Sequence, residues 1–330
     1  MTWMNELWSK IYGAGAMDRI LTGNLDPSAA TPLVADGCYI ELYVESLRLE
    51  VARRFATRFH GVVYSFQSMA TEGALVARLA AISKPDNLAN LDKNALGKVI
   101  TVSRKMMGAM PWRGGTLHLE LGLFSVKSGN LLSPVLDFVT AVSTAAGASF
   151  IGAVTPFVPL MTRGMDLLAG QPEDVSLEVG LDADLALAGP GTFAVIAAEK
   201  GSIDPARITL DPLDRKLLLD GAPLQRAYCV FSIRATDRKA DFGEIPELKD
   251  KYAALMAAIR TGRQELAEDA LTAFRLAVLT CPDLIPADAD RLVEKVRERM
   301  KKAFPGGGTA RLAPSPAEHS LSSVALYSLH

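Results

Sequence analysis

Two aspartates, Asp182 and Asp184, stand two apart in the alternating run "DVSLEVGLDADLALAG". A strand turns residues at that spacing to one face, so both carboxylates would point the same way. Such a pair can ligate Ca²⁺, and the same pattern also makes an ordinary solvated strand face. Asp237, Asp241 and Glu244 form a second acidic group near a turn, with the same two readings. His118 lies beside Glu120 on the polar face of another alternating run, His60 precedes a glycine, and His319 and His330 fall near the end. Cys38, Cys229 and Cys281 make no CxxC pair and carry no nucleophile signature, which suits a reducing compartment.

The phosphate and nucleophile motifs fail on inspection. "DFG" at Asp241 lacks the HRD loop and glycine-rich strand of a kinase, and no GxSxG elbow is present. "GAGAMD" at Gly13 misses the dinucleotide spacing, and "ALGKV" lacks the upstream glycine and the hydroxyl of a P-loop. The expectation is therefore a non-enzymatic protein with no catalytic residue and no cofactor. A hydrolase assembled only in space is the third functional reading.

The chain has 330 residues and a net charge of -2, against the basic stripe of a nucleic-acid binder. Hydrophobic residues make up 49% but aromatic ones only 7%, so the apolar excess is aliphatic and alanine-rich. The first residues lack a basic segment followed by an apolar one, and no N-x-[ST] acceptor occurs, which points to cytoplasmic synthesis.

Alternation predicts strands in "CYIELYVES", "HGVVYSFQSM", "GGTLHLELGLFSV", "DVSLEVGLDADLALAG", "GTFAVIAAE" and "RAYCVFSIRAT", with a strand pair in "ARITLDPLDRKLLLDGAPL". "TEGALVARLAAIS" and "LDKNALGKVITVSRKMM" read as helices by their Ala, Leu and Lys content. Three further helices follow "DFGEIPELKD", the last with Asp288 and Asp290 early and Lys301 and Lys302 late, as a helix dipole favours. The fold class expected is α+β: an antiparallel β-sandwich core with an apolar helical insertion and a C-terminal helical region. Its parts are a β-rich domain over 1–245 with the insertion at about 131–170, helices over 246–304, and a flexible tail over 305–330, of which "SVALYSLH" is apolar enough to dock.

The insertion is the most unusual stretch. From Phe138 to Thr162 no residue is charged. Ser133-Pro134 is a good helix start, while Gly147, Gly152, Pro156 and Pro159 interrupt the helical pattern further along. The run is long enough to cross a bilayer, but it is rich in Ala, Gly, Ser and Thr rather than Leu, which makes a permanent span marginal. Small residues do favour close helix contact.

The leading reading is a membrane-active, pore-forming effector, by analogy a bacterial defence or toxin-like protein, that stores this segment and inserts it on a trigger. The inserting residues would be Phe138, Val139, Val142, Phe150, Ile151, Val154, Phe157, Val158 and Leu160. Arg53, Arg54 and Arg58, with Trp3 and Trp8 of an amphipathic N-terminal stretch, would meet lipid headgroups or a partner. The second reading is an assembly module that buries the segment in its own core or in an oligomer interface. Partners on these readings are further copies of the chain, another protein, or membrane lipid, with membrane association only on activation.

Overall fold

The computed structural model describes residues 19–26, 32–49, 59–71, 74–82, 99–106, 108–127, 150–151, 175–306 and 316–327. Its strands, in chain order, begin with β1 (Arg19–Leu21), β2 (Tyr39–Arg48), β3 (Phe59–Thr71), β4 (Ala74–Ile82) and β5 (Ile100–Lys105). β6 (Met110–Pro111), β7 (Thr116–Lys127), β8 (Val175–Leu185) and β9 (Gly191–Ala197) follow. Short β10 (Ile208–Leu210), β11 (Leu217–Leu219) and β12 (Ala222–Pro223) precede β13 (Tyr228–Thr236).

All the strand pairings described are antiparallel. One sheet runs β1-β9-β13-β2-β5, with β6 also on β2, and a second runs β4-β3-β7-β8. Period two explains their faces. Leu117, Leu119, Leu121 and Leu123 of β7 are all fully buried, and with Ile40, Leu42 and Val44 of β2 and Phe231 of β13 they form one apolar cluster. Both sheets thus bury a face in the same core. The small sheet β10-β11-β12 closes a second cluster around Tyr228, whose hydroxyl accepts the Leu217 N–H at 3.2 Å.

One expected helix is a strand, and so is the described part of a second. "ALVARLAAI" pairs with β3 from Tyr64↔Ile82 to Thr71↔Ala74, so partner and neighbours override alanine's helical preference. The β-branched "ITV" of the second segment lies in β5 on the edge of the larger sheet.

The three C-terminal helices are α1 (Pro246–Arg260), α2 (Gln264–Leu279) and α3 (Pro286–Ala303). Pro246 and Pro286 open theirs, where a missing N–H costs nothing. Gly262 stops α1 with a φ of 71°, a left-handed turn that glycine adopts freely. Leu248, Tyr252, Leu255, Phe274, Leu292 and Val296 form the helical core. The C-terminal segment joins that core: Leu321, Val324 and Leu326 are buried, so this part of the expected flexible tail is packed.

Glu45 of β2 shows how a charge is kept under the larger sheet. Its Oε1 accepts from Ser232 Oγ at 2.5 Å and Arg234 Nη2 at 2.6 Å. Burial pushes this carboxyl up, but those bonds outweigh it and hold it below the usual range. A depressed pKa adds stability above the unfolded value of 4.5, and that stability is lost as pH falls through the folded value. Glu45→Gln should therefore cost about 1–2 kcal/mol at pH 7. The gap from the parent chain should narrow steadily below pH 4.5 in urea unfolding curves taken across pH.

Candidate functional site

A buried polar network lies where the larger sheet meets the helices. Tyr39 opens β2 and is fully buried, and its hydroxyl donates to Asp288 Oδ2 at 2.7 Å. Asp288 is in the first turn of α3, also fully buried, with the Arg291 guanidinium 2.9 Å from its other oxygen. A second hydroxyl, from Tyr327 of the C-terminal segment, donates to the same Oδ2 at 2.5 Å. Each tyrosine also accepts a backbone N–H, Tyr39 from Ile285 at 3.1 Å and Tyr327 from Lys239 at 2.7 Å. One carboxylate therefore ties together sheet, helix and tail. Burial and the neighbouring carboxylate both push the two phenols up, so they remain donors.

The neighbouring connections are equally polar. Lys239 is fully buried, donates to the Ala109 carbonyl at 2.6 Å, and stands 3.3 Å from Asp241. Arg113 pairs with Asp36 at 2.5 Å and donates to the carbonyls of Pro282 at 3.3 Å and Leu284 at 3.0 Å. The tail lies close: a Cβ on Gly243 would fall 2.7 Å from the Ser322 backbone, so only glycine fits there.

The midpoint of the uncharged run sits in this junction. Phe150 is buried in the helical core, while its neighbour Ile151 packs against the core of the sheets. The Ile151 N–H donates to Asp283 Oδ1 at 2.8 Å, and the Asp283 residue is 1% exposed. The Lys239 ammonium faces the Phe150 ring, 5.1 Å from its centroid, a cation–π contact. Two adjacent residues thus face opposite cores, fixed by one backbone bond between them. The other expected insertion residues, Phe138, Val139, Val142, Val154, Phe157, Val158 and Leu160, lie outside the described residues, as do Arg53, Arg54, Arg58, Trp3 and Trp8. Among the described residues, no helix is long and apolar enough to cross a membrane.

Two basic residues from the first part of the chain have internal uses. Arg48 donates to the Arg226 carbonyl and Gln225 Oε1, and Lys105 pairs with Glu41 at 2.8 Å. The acidic group near the turn does not converge: Asp241 faces Lys239, Glu244 pairs with Lys249, and Asp237 stands 3.8 Å from Arg238. Burial pushes the thiols of Cys229 and Cys281 up to about 12, far from a nucleophile's range.

A second polar cluster joins residues that looked separate in the sequence. Strands β7 and β8 pair with His118 opposite Asp184 and Glu120 opposite Asp182. Asp184 Oδ1 is 3.0 Å from His118 Nδ1, while Nε2 stands 3.4 Å from Glu120 and 3.5 Å from Asp182. Burial lowers the imidazole's proton affinity, but the bonds to Asp184 and Glu120 raise it further than burial lowers it. Among the described residues, His118, Glu120 and Asp182 form a group that could hold a metal ion. Neither a family model, nor a curated protein, nor a solved structure matches the chain.

If Asp288 is the shared acceptor, removing either phenol should weaken the junction. Tyr327→Phe strands the Lys239 N–H and removes one donor from Asp288, a cost of about 1–3 kcal/mol. Tyr39→Phe should cost a similar amount, and the double variant should depart from the sum of the two in a denaturation cycle. Strict additivity would mean the two hydroxyls do not share an acceptor.

Proposed function

We propose that this protein is a membrane-active effector that stores the run from Phe138 to Thr162 and inserts it into a bilayer on a trigger, with several copies lining a pore. On this reading the two sheets are the layers of a β-sandwich, the run is an apolar helical insertion, and the junction is its clasp. The observation that carries the proposal is the seating of Phe150 and Ile151 between two cores, with the Ile151 N–H on a buried carboxylate. A charge-assisted hydrogen bond contributes about 1.5–3 kcal/mol and a buried aromatic ring about 1.5–3 kcal/mol. A clasp of about 3–6 kcal/mol in all holds the segment at rest, and a ligand at 1,000 times its Kd supplies about 4.1 kcal/mol toward opening it.

The same seating favours a second reading, an assembly module whose apolar segment never leaves the core. Dye-loaded anionic and neutral vesicles separate the two. The intact chain should leave vesicles sealed, and the chain given limited proteolysis should empty them. Val142→Asp, and the double variant Val142→Asp with Ile151→Asp, should abolish leakage under the same treatment, with circular dichroism confirming that each remains folded. Vesicles that stay sealed under every trigger and lipid composition, with no protein bound, would remove the membrane reading and leave the assembly module.

A further inference from the structure

We infer that His118, Glu120 and Asp182 form a binding site for a divalent first-row transition-metal ion, with Asp184 orienting the imidazole. The site lies on the pairing of β7 with β8, apart from the junction. Its donors, one ring nitrogen and two carboxylate oxygens, lie within 4.8 Å of one another.

Tautomer and distance together carry the assignment. A carboxylate accepts hydrogen bonds, so the 3.0 Å contact with Asp184 Oδ1 places a hydrogen on His118 Nδ1. The other nitrogen then faces two carboxylate oxygens, an arrangement that only a shared cation makes favourable, whether proton or metal. Separations of 3.4 Å and 3.5 Å exceed a good N–H···O bond, which runs about 2.7–3.2 Å. These two separations also fit the edges of a metal's coordination shell. Donors at about 2.0–2.2 Å from a tetrahedral ion stand roughly 3.3–3.6 Å from each other. An acid that fixes one ring nitrogen while the other binds metal is the usual second partner of a ligating histidine.

The carboxylates supply an independent reason. Glu120 and Asp182 are directly opposed across the strands, with side chains only 4% and 12% exposed. Like charges so placed repel, and partial burial lessens their screening. Arg19 also faces this pair, its guanidinium donating to the Asp182 carbonyl at 3.1 Å and lying within that carboxylate's field. An imidazole with two carboxylates suits Zn²⁺ or Mn²⁺ better than Ca²⁺, which takes six to eight oxygen ligands.

The full-length protein, stripped with chelator and exchanged into metal-free buffer, is titrated calorimetrically with Zn²⁺, Mn²⁺ and Ca²⁺ in turn. One Zn²⁺ or Mn²⁺ should bind per chain, with Ca²⁺ weaker by roughly 100-fold. His118→Ala and Asp182→Asn should each remove that binding event, and Asp184→Asn should weaken it by about 10–100-fold. Glu120→Gln, close in shape, guards against loss of fold and should also remove it while the circular dichroism spectrum is kept. Absence of Zn²⁺ and Mn²⁺ binding, or binding undiminished in the folded His118→Ala and Glu120→Gln variants, overturns the site and leaves His118 as a proton-bearing ion pair.

Discussion

Asp288 is the interaction on which the arrangement of the parts depends. Two tyrosine hydroxyls, from the start of β2 and from the C-terminal segment, donate to one of its oxygens, and Arg291 stands beside the other. A buried carboxylate is costly to desolvate, so it persists only where partners surround it. Here the partners come from every part that meets at the junction. A loss of any one leaves the others under-satisfied, which couples the sheet, the helices and the tail in one polar unit.

That coupling gives the seat of Phe150 and Ile151 its meaning. Tyr327 accepts from the Lys239 backbone, and the Lys239 ammonium faces the Phe150 ring. The Asp283 that takes the Ile151 N–H lies in the short connection between α2 and α3, beside carbonyls held by Arg113. The uncharged run is therefore anchored at its midpoint by the same connections that fix the helices to the larger sheet. On the proposed function, a trigger that loosens the tail or the α2–α3 connection would act on the seat of Phe150 and Ile151.

Much of the framework was legible as periodicity. The leucines of β7 alternate without exception, and the three C-terminal helices show in their periodicity, two of them opening on Pro246 and Pro286. β4 was not legible, because "ALVARLAAI" has helical composition and becomes a strand only through its pairing with β3. The site residues divide in the same way. Asp182 and Asp184 form a visible pair in the sequence and His118 stands beside Glu120, but bringing the four together requires the β7–β8 register, a contact across more than 60 residues. Asp288 gave only a helix-dipole signal, since its tyrosine partners lie 249 and 39 residues away. Phe150 and Ile151 are two apolar residues among many, and nothing local distinguishes them from their neighbours as the point of attachment.

Hydrogen exchange at the Ile151 amide tests most directly whether the run is clasped at its midpoint. In the resting protein that amide should exchange as slowly as the amides of α3, and Asp283→Ala should accelerate it while α3 stays protected. An Ile151 amide that exchanges at the rate of free peptide in the parent chain would contradict the clasp, and with it the stored-segment account.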